Sequence, residues 1–178
     1  MRKSGLAPVA DESTEILILG TLPSDKSLAA KQYYANSGND FWKLIGAALN
    51  QTADGLSYEA KLELLEANHI GLWDTYRACF RHGSMDKDIT EREPNDFTVL
   101  KGIAPKLRLV CFNGREAAEA EESLTRLGFQ TRHLPSSSGA NRRDQEGRLM
   151  RWKAAIRDYC GAEQEPTSKR TSTSSRFG

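Results

Sequence analysis

Three short apolar runs punctuate the chain, each closed by a turn-forming or polar residue. They are Ile16 to Leu19 before Gly20, Ile70 to Trp73 before Asp74, and Leu107 to Phe112, apolar from Leu109 on, before Asn113-Gly114. A fourth, more mixed stretch runs from Phe129 to Leu134 and ends at Pro135. Unbroken apolar runs of this length fit strands buried on both faces rather than the alternating strands of a half-solvated sheet. Between the runs the apolar period changes to that of a helix. Phe41, Trp42, Leu44, Ile45, Ala48 and Leu49 form one stripe, and Leu62, Leu64 and Leu65 a second. Glu116 to Leu127 is a third helix, stopped by Gly128. A long fourth helix from about Arg143 to Tyr159 carries Leu149, Trp152, Ile156 and Tyr159 on one side.

Start signals sharpen these boundaries. Asn39 and Ser57 stand where helix N-caps belong, and Asn95 precedes a helix from Asp96 to about Ile103 that ends before Pro105. Pro23 fixes a turn after the first run, and Ser24 or Ser27 caps a short helix around Leu28 to Gln32. Strand and helix alternate four times. That order predicts an α/β domain: a three-layer α/β/α sandwich with a central four-stranded parallel sheet and right-handed crossovers.

The polar stretches divide the chain. Residues 1–14 read as a lead-in, 15–161 as one domain, and 162–178, rich in Ser, Thr and charge, as a disordered tail. The segment from Arg81 to Asn95 is polar, with Gly83 and Pro94, and reads as a long surface excursion. No internal repeat is visible.

Composition adds bounds rather than a function. A chain of 178 residues with 38% hydrophobic content suits a single domain with a sizeable core. A formal net charge of +1 neither demands nor excludes a nucleic-acid partner, although Lys and Arg become dense after Arg126. Cys79, Cys111 and Cys160 fit no metal spacing and point to a reducing compartment. No apolar run approaches a membrane span, and the first residues lack a secretory apolar core. The expectation is a cytoplasmic, monomeric protein without a membrane partner.

In an open parallel sheet, ligands bind beyond the carboxyl ends of the strands. Those ends offer Thr21-Leu22-Pro23-Ser24, Asp74-Thr75, Asn113-Gly114 and the loop Pro135 to Asn141, with Tyr33, Tyr34, Asn36 and Asn39 beside them. Amides, hydroxyls and aromatics dominate. A nucleophile–base pair, a metal cluster and a P-loop are all missing from this inventory. The set suits a flat heteroaromatic ligand that is stacked and read along its edge. Adjacent Tyr33 and Tyr34 point to different sides, one to the core and one to the pocket. Asn39 reads as an N-cap or a pocket group, and Asp74 as a pocket group or a cap of the following helix.

Gly20-Thr-Leu-Pro-Ser24, Tyr33-Tyr-Ala-Asn36 and Asn39-Asp-Phe-Trp42 together resemble the first motif region of the uracil-DNA glycosylase superfamily, with the hypoxanthine-DNA glycosylase branch the nearest in pattern. Gly71-Leu-Trp-Asp-Thr75, Phe112-Asn-Gly-Arg-Glu-Ala117 and Leu134-Pro-Ser-Ser-Ser-Gly-Ala-Asn141 resemble that branch's later segments, in the same order. The resemblance covers about Ile16 to Tyr159. It implies cofactor-free hydrolysis of the glycosidic bond of a deaminated base, uracil or hypoxanthine, flipped out of DNA. It makes Asn39 the catalytic amide and Tyr34 the stacking aromatic. Leu22, Asp74 and Asn113 become base-pocket residues, with Asp74 reading the base edge. Ser24, Ser136, Ser137, Ser138, Asn141 and Arg142 become DNA contacts.

One position departs from many superfamily members. Leu22 stands where they carry an Asp or Asn that directs the attacking water. The hypoxanthine branch also lacks that polar residue. His133 lies one position too early to be the loop histidine of other branches, and Leu134 occupies that place. Two other functions compete: a damaged- or abasic-DNA binding protein that does not cut, and a nucleotide-handling α/β hydrolase, which would need a phosphate cradle.

Overall fold

A computed structural model of the chain describes residues 2–81, 89–141 and 144–161. Its strands are β1 (Arg2–Ser4), β2 (Ile16–Gly20), β3 (Ile70–Asp74), β4 (Tyr76–Arg81), β5 (Ile89–Pro94), β6 (Leu109–Asn113) and β7 (Gln130–Leu134). Its α-helices are α1 (Asp25–Ala30), α2 (Phe41–Ala48), α3 (Tyr58–Ala67), α4 (Leu100–Ile103), α5 (Glu121–Arg126) and α6 (Gln145–Gly161).

The central sheet has four strands in the order β3-β2-β6-β7, and all three pairings are parallel. Successive side chains of β2 point to opposite faces, so the run Ile16 to Leu19 feeds two cores at once. Ile16 and Ile18 join Ile70, Leu72, Leu109 and Cys111 beneath α2, α3 and α6, around Phe41, Leu65 and Trp152. Leu17 and Leu19 join Trp73, Val110 and Phe112 beneath α4 and α5, around Leu100 and Leu124. Helices cover both faces, as the unbroken apolar runs require. Burying each large apolar side chain contributes roughly 1.5–3 kcal/mol, and Trp152, Phe41 and Phe112 are fully buried. Burial pushes the Cys111 thiol up to about 12, as befits an inert core group.

The punctuation residues act as read. Ser24 and Ser57 accept from the backbone N–H groups of Ser27 and Ala60. Gly128 takes a φ of +89°, the left-handed turn that ends α5. Three boundaries differ. The short helix after Pro23 begins at Asp25, directly behind Ser24. The helix before Pro105 is capped by Asp96, whose carboxylate accepts from Thr98 N–H, and begins with a 3-10 turn at Phe97–Val99. Asn95 instead donates to the backbone oxygen of Asp74 at 2.8 Å. The third helix opens as a 3-10 turn, Glu116–Ala120, before α5.

Of the expected surface excursion from Arg81 to Asn95, residues 82–88 lie outside the described residues, and Ile89–Pro94 is strand rather than loop. β4 and β5 form an antiparallel pair, and β1 joins β4 on the other side, giving a second sheet in the order β1-β4-β5. Irregular pairing along β4 and β5, together with a left-handed Glu91 (φ +47°), breaks the two-residue alternation by which a strand is recognised. Among the residues of this sheet whose burial is described, only Tyr76, Ala78 and Cys79 are buried, and the segment is polar in composition. The lead-in is also tied down, through β1 and a bridge between Val9 and Leu72. Residues 162–178, expected to form a tail, lie outside the described residues.

Candidate active site

The carboxyl ends of β2, β3 and β6 reach the same height. Gly20 pairs with Asp74, and Asn113 stands one step past the Leu19–Phe112 pair. Above them lies a cavity of about 360 Å³, lined by Gly20 to Ser24, Ser27, Tyr33, Tyr34, Asn36, Asn39, Asp74, Asn113 and Ser136 to Ser138. Every expected base-pocket residue lines this cavity, as do Ser24, Ser136, Ser137 and Ser138. Asn141 is not among the lining residues, and Arg142 lies outside the described residues.

Gly20 is where two of the groups converge. A methyl group built on its α-carbon would sit 2.7 Å from Asp74 Oδ1 and 3.2 Å from the Tyr34 hydroxyl. Only glycine lets those two polar atoms share the space over the strand end. Asp74 is 4% exposed. It caps no helix, because Thr75 and Tyr76 lead directly into β4.

The two tyrosines divide as expected. Tyr33 is buried, and its hydroxyl donates to the backbone oxygen of Ala7 at 3.1 Å. Burial, with the negative charge of Asp74 nearby, pushes its phenol far above the ordinary tyrosine range. Tyr34 adopts a left-handed backbone (φ +54°) and lines the pocket. One face of its ring lies on Phe41, with centroids 3.8 Å apart and planes 6° from parallel. Phe41 in turn meets Trp42 and Trp152 edge-on.

Asn113 is the hub of the pocket wall. Its Oδ1 accepts from Ser137 N–H at 2.8 Å, and its Nδ2 donates to Ser137 Oγ at 2.8 Å and to Tyr34 Oη at 3.0 Å. Both amide hydrogens are therefore engaged by protein oxygens. The side chain ties the last loop and the stacking tyrosine to the sheet.

Asn39 lies one residue before the N-cap of α2, which is Asp40, so of its two alternatives the pocket position holds and the cap does not. Its Oδ1 accepts from Phe41 N–H at 2.9 Å, which fixes the amide at the start of α2, and it also lines the cavity. The carbonyl oxygen retains a second lone pair, and Nδ2 donates to no acceptor among the described residues. Leu22 is 7% exposed and packs with Tyr76 and Cys79 in a small apolar cluster. Leu22 also lines the cavity, together with Thr21, Pro23 and Ser24. Pro23 has no N–H to offer.

The loop after β7 closes the cavity. Gly114 (φ +96°) lets Ser136 come close: a methyl group on Gly114 would lie 3.1 Å from Ser136 Cβ. Asn141 Nδ2 donates back to the Ser136 carbonyl at 3.0 Å, so this amide shapes the loop. His133 lies outside the cavity, paired with Glu121 at 2.9 Å and set against the edge of Phe112. Among the described residues no group of acids, histidines and cysteines could hold a metal ion.

The sequence reading passed over Phe41 as the floor beneath Tyr34, and over Asp40 and Arg148. Arg148 is 4% exposed and paired with Asp40. A buried cation one helical turn before Trp152, on an otherwise apolar stripe, was the signal that could have found it.

The family model of the uracil DNA glycosylase superfamily matches residues 7–159, which contain the whole cavity. The chain belongs to that superfamily. It is thereby a DNA glycosylase, a hydrolase of N-glycosyl bonds. A protein of Methanosarcina acetivorans named hypoxanthine DNA glycosylase is 53% identical over 157 residues, covering 88% of this chain and 99% of the relative. A protein of the same name from Methanosarcina barkeri is 46% identical over the same coverage. A solution NMR structure from Methanosarcina acetivorans, described as a candidate uracil DNA glycosylase, superposes with a TM-score of 0.82 at 52% identity. It covers 89% of this chain and 98% of that one.

Proposed function

We propose that this glycosylase removes deaminated bases, hypoxanthine first and uracil second, after the nucleotide has swung out of DNA into the cavity over Gly20. The observation that carries this reading is the placement of an acidic side chain, Asp74, at the floor of a cavity walled by Tyr34 and Asn39. Deamination turns adenine into hypoxanthine and cytosine into uracil. In each case a ring nitrogen that accepts a hydrogen bond becomes an N–H that donates one. An aspartate oxygen rewards the new donor and repels the old lone pair, so it separates the lesion from the parent base. The names of the relatives support hypoxanthine as the leading substrate.

The mechanism follows from the remaining groups. Tyr34, backed by Phe41, offers its other face as a stacking surface for the base. Glycosidic cleavage puts positive charge on the sugar and negative charge on the departing base. So electrophilic a sugar needs an oriented water rather than a strong base. Asn39, held by Phe41 N–H, presents an amide of fixed plane that can accept from that water. Leu22 leaves this task to Asn39. Ser24, Ser136 and Ser138 line the cavity, where their hydroxyls suit phosphate oxygens of the DNA strand beside the flipped nucleotide, whereas Ser137 is buried with its N–H on Asn113.

The deciding experiment is single-turnover release of free base from oligonucleotides carrying hypoxanthine, uracil or xanthine, in single and double strands. Hypoxanthine should be released fastest, without added metal. The variant Asn39→Ala should lower the rate by about a hundredfold or more while DNA affinity stays within about twofold. Tight lesion binding without any abasic product would instead identify a binding protein, and release from free nucleosides alone would identify a nucleotide hydrolase.

A further inference from the structure

Arg148 has no place in the chemistry just described, yet it is buried where a buried cation is expensive. An apolar side chain would pack there at lower cost, so what the guanidinium does must depend on its fork of donors. Nη2 donates to Asp40 Oδ2 at 2.5 Å. Nη1 donates to the carbonyl of Asn141 at 2.8 Å, with those of Ser136 and Ser138 at 3.4 and 3.5 Å. One turn later on the same helix, Trp152 Nε1 donates to the carbonyl of Pro135 at 2.9 Å. The face of α6 therefore holds four carbonyls of the last loop, and through Asp40 it reaches the residue next to Asn39. The Asp40 N–H closes the ring by donating to Ser137 O at 2.9 Å.

We propose that Arg148 is a positioning residue: its fork clamps the Pro135 to Asn141 loop to the start of α2, so that the loop pressing on DNA and the Asn39 amide move as one rigid piece. This rests on the reading of Asn39 given above. The clamp spans 108 residues of sequence between its two charged partners. Neither partner needs to touch substrate. What they fix is the distance between the two walls that close on the flipped nucleotide, and a small loosening there lowers the rate without removing any reacting group.

The test compares the full chain with Arg148→Met, Arg148→Lys and Asp40→Asn, at a temperature where circular dichroism shows each folded. Three readouts are taken on a hypoxanthine duplex: the single-turnover rate at saturation, DNA affinity with its salt dependence, and hydrogen exchange at the Asp40 and Ser137 amides. Arg148→Met should lower the rate at least about tenfold, with affinity within about twofold and the salt slope unchanged, because no phosphate contact is lost. Exchange at Asp40 and Ser137 should accelerate while the amides of the central sheet stay protected. Arg148→Lys should recover little, since one ammonium cannot reach both the carboxylate and the carbonyls. Asp40→Asn gives the same reading should Arg148→Met fail to fold.

Rates within about threefold of the unaltered chain would overturn the proposal. So would weaker binding with a shallower salt slope, which would make Arg148 a DNA contact. If the unaltered chain releases no base, the reading of function fails. The exchange rates then decide by themselves whether Arg148 joins the two segments.

Discussion

The Tyr34 ring is stacked on the Phe41 ring at 3.8 Å, and its hydroxyl is held by Asn113 Nδ2 at 3.0 Å. The tyrosine is therefore fixed on one face and at its tip, which leaves the opposite face as a flat, preorganised wall. Replacing it by alanine should weaken binding of the lesion by roughly 1–3 kcal/mol, the usual value of one base–aromatic stack. Tyr34→Phe keeps the stack and gives up only the hydroxyl, so affinity should fall much less. Titration of a hypoxanthine oligonucleotide against both variants checks the order.

Gly20 tests the convergence of Asp74 and Tyr34. Gly20→Ala places a methyl group 2.7 Å from Asp74 Oδ1, which a buried carboxylate cannot tolerate. The strand has a conformation open to alanine, so the chain should still fold. Base release should nevertheless fall by an order of magnitude or more, as misplacement of this size does in a tight site. A variant with normal turnover would show that Asp74 can move without consequence.

Asp74 also carries the expected discrimination. Asp74→Asn retains an acceptor oxygen and adds an N–H donor, which can satisfy the ring nitrogen of adenine or cytosine. The ratio of hypoxanthine release to adenine release should therefore narrow, by up to about a hundredfold for one hydrogen bond of this kind. Parallel time courses on matched oligonucleotides measure the ratio directly.

Asn113→Ala would leave the buried Ser137 N–H without its acceptor and free the Tyr34 hydroxyl. The unpaired donor should lower stability by about 1–3 kcal/mol in urea unfolding. The same variant should slow base release, because Tyr34 and Ser137 lose their common tether.

The second sheet supplies a pH signature away from the pocket. Tyr76 donates to Glu119 Oε2 at 2.5 Å, and Arg92 pairs with the same carboxylate. Hydrogen bonds from Arg92 and then Tyr76 hold the Glu119 carboxyl below its ordinary 4.5. That stabilisation is present above pH 4.5 and is lost as pH falls through the lowered value. Tyr76 moves the other way: burial, then its bond to Glu119, pushes the phenol from 10.0 up to about 12. Its contribution is complete below pH 10 and is lost as pH rises toward about 12. Denaturant midpoints across pH should show both limbs, with Glu119→Gln flattening the acid limb and Tyr76→Phe the alkaline one.

Strand runs such as Ile16 to Leu19 were legible because a central parallel strand must be apolar on both faces, and serine caps because their geometry is local. The pocket residues were legible because motif order survives in the sequence. β4 and β5 were not, because a solvent-facing sheet with irregular pairing has neither an apolar run nor a clean alternation. The engagement of Asn113 was equally hidden. Its partners Tyr34 and Ser137 lie 79 residues before and 24 after, and no spacing rule joins them. Arg148 reads as surface charge until its helix is folded against Asp40.

Those separations also set an order of events during synthesis. A growing chain carries Gly20, Tyr34 and Asn39 early, but the strand that tethers Tyr34 begins at Leu109, and the helix that clamps Asp40 ends at Gly161. Gly161 must therefore have left the ribosome before the cavity can acquire its last wall. An unfinished chain holds Asn39 without the frame around it, so the cavity cannot take its full shape until α6 docks.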